Sequence, residues 1–133
     1  MNKVEHIGIA VKSIQESARV FELLLGAPAY KEEQVESEGV KTAFYQVGET
    51  KIELLEATKP DSAIAKFIEK KGEGVHHIAF DVTDIEKEIS RLSAEGFELI
   101  HKTGKDGADN KIIAFLHPKS TNGVLVELCQ EKL

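Results

Sequence analysis

Val4-Glu5-His6-Ile7-Gly8-Ile9-Ala10-Val11 recurs, with the same alternation, as Val75-His76-His77-Ile78-Ala79-Phe80-Asp81-Val82. Alternating aliphatic residues are typical of a half-buried β-strand. After each copy, an amphipathic segment follows a capping residue and stops at a glycine, Gly26 in the first copy and Gly96 in the second. Because strand, cap, helix and stop match in the same order, the sequence predicts an internal repeat.

The spacing of apolar residues predicts a helix after each of these two strands. Ser13 and Glu16 have the spacing of a capping box in the first copy, whereas Thr83 and Asp84 compete for the cap in the second. The apolar stripes are Ile14, Ala18, Phe21 and Leu25 in one helix, and Ile85, Ile89 and Leu92 in the other. Between the copies, Ser62 opens a shorter amphipathic helix that ends before Gly72.

Three strand-like runs follow each helix and are bounded by turn residues. They cover 29–35, 40–47 and 51–56 in the first copy, and 98–102, 112–116 and 124–129 in the second. We therefore predict an α+β fold, in which two tandem βαβββ modules form a curved mixed sheet around a cup, with the helices outside.

A module of this size has a marginal core by itself, so both modules are predicted to share one domain. That domain covers 1–133, with module 1 at about 3–57, a linker helix at about 58–73 and module 2 at about 74–130.

The chain has a formal charge of -6 and a pI near 5.4, which argues against nucleic acid or an anionic membrane as partner. Cys129 is the one cysteine, which excludes an internal disulfide and favours a reducing compartment. The N-terminal residues lack an apolar signal core, so we expect a cytoplasmic protein.

Strand alternation places both His6 and His77 on faces whose other members are small, namely Gly8 and Ala10 beside the first and Ala79 beside the second. Small neighbours leave room for a ligand. A single strand histidine is more often structural than ligating, but here the pattern occurs at equivalent positions of both repeats. This doubling favours a functional role.

Glu53 and Glu127 occupy equivalent positions among aliphatic residues in the last strand of each module. A carboxylate in such a setting is unfavourable unless it is paired or bound to a cation. Two histidines and two glutamates therefore predict a divalent metal site, with ligands that suit zinc, cobalt, nickel, manganese or ferrous iron.

The layout resembles the vicinal oxygen chelate superfamily, the glyoxalase/dioxygenase fold, and within it the family of methylmalonyl-CoA epimerases. The resemblance rests on Glu5–Val11, on Val75–Phe80, and most specifically on His117-Pro118-Lys119-Ser120, which leads into 123–128. Glyoxalase I proteins usually carry an Asp-Pro-Asp-Gly type of turn where this chain has His117–Ser120.

The resemblance implies that His6, His77 and Glu127 bind the metal, with Glu53 at a position that is Gln or Glu in relatives. It implies one divalent ion per site (cobalt, manganese, zinc, nickel or magnesium) and interconversion of (2R)- and (2S)-methylmalonyl-CoA through an enolate. Glu127 and Glu53 are then the candidate acid/base residues. Lys119 and Ser120 are candidates for binding the acyl-CoA substrate, and a homodimer is implied.

This chain departs from the family pattern at the second base. Some family members carry a further carboxylate in the second strand after the first helix, where this chain has Thr42 or its neighbours and no acid. Two alternatives stay open. One is a related metalloenzyme, either glyoxalase I-like or a ring-cleaving dioxygenase, and the other is a non-enzymatic member that binds a small molecule. The fold alone does not decide among them.

Overall fold

The computed structural model describes residues 1–133, which form eight strands and three α-helices. In chain order the elements are β1 Lys3–Ala10, α1 Ile14–Leu25, β2 Lys31–Val35, β3 Val40–Val47, β4 Thr50–Ala57, α2 Ala63–Lys71, β5 Gly74–Asp81, α3 Ile85–Ala94, β6 Lys105–Gly107, β7 Lys111–Leu116 and β8 Val126–Glu131. Short 3-10 turns lie at Glu36–Glu38 and Pro118–Ser120. None of the helices combines the length and the apolarity needed to cross a membrane.

The element order contains the βαβββ pattern twice, as β1-α1-β2-β3-β4 and as β5-α3-β6-β7-β8, with α2 between them. Parallel and antiparallel strand pairs both occur, so the sheet is mixed. The predicted α+β class is confirmed. The chain divides into two compact units, one made of Met1–His6 with His77–Leu133 and the other of Ile7–His76.

In the unit formed by Ile7–His76, the strand order is β2-β3-β4-β1. The pairs β2–β3 and β3–β4 are antiparallel. Helix α1 packs its apolar stripe on the sheet, where Ile14 and Leu54 are almost fully buried. Helix α2 contributes Ile64 to a second apolar cluster with Val40 and Leu55. Both clusters follow from the helical spacing seen in the sequence.

In the unit formed by Met1–His6 and His77–Leu133, the strand order is β1-β5-β8-β7-β6. Strands β5 and β8 are parallel, whereas β7 is antiparallel to both β8 and β6. Helix α3 buries Ile85, Ile89 and Leu92 in the core of this unit. Leu128, on β8, is fully buried in the same core.

Helices α1 and α3 begin at side chains that the sequence offers as caps, and in the second module the cap is Asp84 and not Thr83. Ser13 accepts a hydrogen bond from the backbone N–H of Glu16, and α1 stops at Gly26, whose φ of 77° is in the left-handed region. In the second module Asp84 is the cap of α3, and its Oδ1 accepts from the N–H of Lys87 at 3.1 Å. Thr83 instead accepts a hydrogen bond from the Asn2 side chain at 3.2 Å.

Asp84→Ala is expected to lower the free energy of unfolding by about 1 kcal/mol, because it removes the side-chain acceptor at the start of α3. Thr83→Ala is the matched control and should cost less, since Thr83 does not cap the helix. Urea denaturation of both variants measures the difference. An equal or larger loss in Thr83→Ala would contradict the assignment of the cap.

The prediction of a strand at 98–102 is wrong. Leu99 forms a single isolated bridge with Leu116, and the regular ladder does not continue. The ladder stops because the backbone N–H of Phe115 donates to a side-chain atom, His101 Nδ1, at 3.1 Å. A side chain thus takes the place of the backbone carbonyl that a ladder would use. His101 itself is partly exposed.

The missing strand of the second module lies a few residues later, at β6. The sequence there reads as a glycine-containing loop, 104–110, but it forms a hairpin with β7. Asp109 and Asn110 have φ values of 56° and 57°, so two successive residues adopt the left-handed conformation. This conformation gives the twist that a tight β-hairpin needs, and Asp and Asn tolerate it better than other non-glycine residues.

Candidate metal centre

The register of two strand pairs brings the predicted ligands of one unit to one place. In the parallel pair β5–β8, Ala79 lies opposite Glu127, so His77 and Glu127 project from the same face of the sheet. The antiparallel pair β7–β8 places Phe115 opposite Glu127 on that face. His6 comes from the N-terminal part of β1, which belongs to the same compact unit.

His6, His77 and Glu127 form a buried triad, with relative exposures of 6%, 4% and 4%. The two imidazole Nε2 atoms are 3.1 Å apart. Glu127 Oε1 lies 3.2 Å from the Nε2 atom of His77 and 3.6 Å from that of His6. Three donor atoms of three different strands therefore converge on one point.

This triad fits a divalent metal ion. Donor atoms that bind one ion at about 2.0–2.2 Å stand roughly 2.8–3.6 Å apart for angles between octahedral and tetrahedral. The three observed separations lie in that range. Two histidine nitrogens and one carboxylate oxygen are ligands that zinc and other divalent transition metals accept. The donor set does not distinguish among these ions.

Two further buried side chains form hydrogen bonds with the triad, Glu5 with His6 and Cys129 with Glu127. His6 Nδ1 donates to Oε1 of Glu5 across 2.6 Å, and Glu5 itself is only 3% exposed. On the other side, the Cys129 thiol donates to Oε2 of Glu127 at 3.2 Å. Oε1 of Glu127 is the oxygen that faces the histidines. Regular alternation in the sequence gives no sign of Glu5, because the two successive buried residues Glu5 and His6 break the alternation of β1.

The charges of the triad depend on one another. Burial alone would lower the pKa of His6, but the negative charge of Glu127 and the side-chain hydrogen bonds of His6 with Cys129, Glu127 and Glu5 raise it well above 6.5. Burial alone would raise the pKa of Glu127, yet the two histidines lower it. Burial raises the pKa of the Cys129 thiol to about 12, so this group is a hydrogen-bond donor at neutral pH.

Apolar side chains surround the triad on the sheet face. The rings of His77 and Phe115 meet edge to face, with centroids 5.6 Å apart. Ala79, Ile113 and Cys129 are buried beside Phe115 in one cluster. Because the triad is buried, interactions of a charge with it are less screened than in bulk solvent.

Glu53, the fourth predicted ligand, lies on β4 in the unit formed by Ile7–His76. It is 4% exposed and lies opposite Phe44 in the β3–β4 ladder. A buried carboxylate at this position agrees with the sequence argument that Glu53 needs a partner. Its role as a ligand or base stays a prediction.

Lys119 and Ser120, the predicted substrate contacts, belong to the 3-10 turn after β7. Lys119 Nζ is 2.6 Å from Oε2 of Glu98, and this pairing lowers the pKa of Glu98. Ser120 Oγ accepts from the backbone N–H of Glu98 at 2.9 Å. His117 N–H donates to the Glu98 carbonyl at 2.8 Å, so one residue holds the turn at three points. Contact of this turn with a substrate stays a prediction.

Comparison with known proteins places these features in a family. Residues 5–115 match the Glyoxalase/Bleomycin resistance protein/Dioxygenase superfamily. The uncharacterized protein YqjC of Bacillus subtilis (strain 168) is 45% identical over 132 residues, which cover 99% of this chain and 94% of that protein. The mitochondrial methylmalonyl-CoA epimerase of Dictyostelium discoideum is 40% identical over 129 residues, which cover 96% of this chain and 78% of that protein.

A solved structure agrees with the sequence comparison. A variant of Streptomyces coelicolor methylmalonyl-CoA epimerase in complex with 2-nitronate-propionyl-CoA has a TM-score of 0.93 and 31% sequence identity, and the match covers 98% of this chain and 95% of that one. A structural relative therefore binds an acyl-CoA ligand. The chain belongs to the Glyoxalase/Bleomycin resistance protein/Dioxygenase superfamily and is related to the methylmalonyl-CoA epimerases.

Proposed function

We propose that this protein is a metal-dependent epimerase that interconverts (2R)- and (2S)-methylmalonyl-CoA. The observation that carries the proposal is the buried triad His6–His77–Glu127, in a chain that resembles epimerases over nearly its whole length. The His117-Pro118-Lys119-Ser120 turn supports an epimerase over a glyoxalase I, which usually carries an acidic turn at this place.

The reaction requires removal of a proton from C2, next to a thioester. The α-proton is far less acidic than a carboxylic acid, whose reference pKa is about 4.3 for Glu, and each unit of mismatch costs about 1.4 kcal/mol. A divalent cation held by the triad would supply positive charge beside the oxygen on which the enolate develops. The burial of the triad strengthens such an interaction, because a buried charge is less screened than one in bulk solvent.

Glu127 is the proposed base. Oε2 is occupied by the Cys129 thiol, which limits rotation of the carboxylate and keeps Oε1 directed toward the two histidines. Inversion at C2 also requires proton delivery on the opposite face of the enolate. We assign this second role to Glu53, since Thr42 and its neighbours, where some relatives carry a carboxylate, include no acid.

The proposal is tested by exchange of the C2 proton. Metal-loaded protein is incubated with methylmalonyl-CoA in deuterium oxide, and incorporation of deuterium is followed by mass spectrometry. We expect exchange that stops when a chelator removes the metal and returns when a divalent ion is added. The physical reason is that the carboxylate alone is too weak a base for this proton.

Two other outcomes would replace the proposal. Conversion of the methylglyoxal–thiol hemithioacetal without C2 exchange would identify a glyoxalase I-like enzyme, which also belongs to this superfamily. Binding of an acyl-CoA without turnover in either assay would identify a binding protein. The three results are exclusive, so one set of assays separates the three functions.

The assembly and cellular setting are part of the same proposal. We propose a homodimer that acts in the cytoplasm on a small acyl-CoA. The formal charge of -6 supports a small-molecule partner over a nucleic acid, and the buried free thiol of Cys129 supports a reducing compartment. Size-exclusion chromatography with light scattering measures the oligomeric state directly.

A further inference from the structure

Glu5 is a buried charged residue next to the triad, and the proposed reaction gives it no role. It is 3% exposed, and its Oε1 is 2.6 Å from Nδ1 of His6. Successive residues of a regular strand point to opposite faces, but here both Glu5 and His6 are buried. A buried carboxylate is unfavourable without a charged or hydrogen-bonding partner, so its place beside His6 calls for an explanation.

The internal repeat offers a comparison within the same chain. The residue before the second histidine is His76, whose ring meets Phe67 edge to face at 4.9 Å. A carboxylate therefore precedes His6 but not His77. If the residue before each histidine only completed a strand, the two copies would not need such different side chains. The carboxylate at Glu5 is specific to the environment of His6.

We propose that Glu5 is a positioning residue of the metal centre, which holds the His6 ring so that Nε2 faces the ion. A carboxylate only accepts hydrogen bonds, so the close contact requires a proton on Nδ1 of His6. With that proton on Nδ1, a neutral His6 carries its lone pair on Nε2, the atom that lies 3.1 Å from His77 Nε2. Glu5 thus selects both the tautomer and the orientation that binding requires.

This inference rests on the metal-binding part of the proposed function and not on the epimerase reaction. Glu5 does not belong to the triad itself, since its contact is with the far nitrogen of the ring. Carboxylates in this position typically change metal affinity by about 10- to 100-fold when they are removed. Loss of a ligand itself has a larger effect, which separates the two roles by magnitude.

The test measures the affinity of the metal-free protein for Zn²⁺ and Co²⁺ by competition with a chromophoric chelator. Glu5→Leu is expected to weaken binding by about 10- to 100-fold. Glu5→Gln keeps a side-chain carbonyl that can accept from Nδ1 and should lose less than Glu5→Leu. Glu49→Leu, at an exposed turn residue, is the control and should bind as the wild type does.

Two readouts besides activity separate positioning from other roles. The melting temperature of the metal-free Glu5→Gln variant should stay near that of the wild type, whereas the upward shift caused by Zn²⁺ should shrink. Unchanged metal affinity in both Glu5 variants would overturn the inference, as would a loss as large as that of His6→Ala, which would make Glu5 a ligand. Failure of the wild type to bind either ion would instead contradict the proposed function.

Discussion

Glu127→Gln is expected to reduce the rate of C2 proton exchange by about 10²- to 10⁴-fold, the contribution typical of a general base. The amide has nearly the shape of the carboxylate but does not take up a proton at neutral pH. Glu127 is also a proposed ligand, so the rate is to be compared at saturating metal, with occupancy measured in the same samples. Deuterium incorporation into methylmalonyl-CoA is the readout.

Glu131→Gln is the matched control for this variant. Glu131 lies four residues further along β8 and is exposed, so its exchange rate should equal that of the wild type. Glu53→Gln tests the second proposed base, and it should slow exchange from one epimer more than from the other. Full exchange activity in metal-loaded Glu127→Gln would show that another group removes the proton.

His77→Ala is expected to weaken metal binding by more than about 100-fold, beyond the effect of losing a supporting residue. The imidazole supplies one of three converging donor atoms, and alanine leaves only His6 and Glu127 within the triad. Metal content after dialysis, measured by inductively coupled plasma mass spectrometry, should fall to the background of the buffer. Exchange at C2 should disappear with the metal.

The adjacent histidine gives a sharp control for this experiment. His76→Ala removes a ring that packs against Phe67 and takes no part in the triad, so its metal content should equal that of the wild type. Circular dichroism of both variants checks that the fold is kept. Retention of a full equivalent of metal by folded His77→Ala would contradict the assignment of the site.

Much of the fold was predictable because the periodicity of apolar residues is strong in this chain. The helix at Ile14–Leu25 has both its cap and its stop in the sequence, and the linker helix begins after Ser62 as expected. The second module was harder, because β6 is only three residues long and depends on the left-handed pair Asp109 and Asn110. A pattern of hydrophobicity does not record backbone conformation in such a turn.

The candidate site was likewise predictable only in part from the sequence. Equivalent repeat positions singled out His6, His77, Glu53 and Glu127. The structure brings His6, His77 and Glu127 within 3.6 Å of one another, whereas the role of Glu53 stays a prediction. The supporting contact of Glu5 could not be predicted, because regular alternation points adjacent side chains to opposite faces. The second buried residue at this point of β1 becomes visible only when the local break in alternation is observed.

The spacing of the triad along the chain has a consequence for folding kinetics. His6 and His77 are 71 residues apart, and Glu127 follows His77 after another 50. Closing loops of this length costs chain entropy, and domains rich in such distant contacts fold more slowly. Interactions that form after the folding transition state mainly slow unfolding and hardly accelerate folding. Where the triad assembles after that transition state, an ion bound to it would mainly slow unfolding and so prolong the lifetime of the native chain.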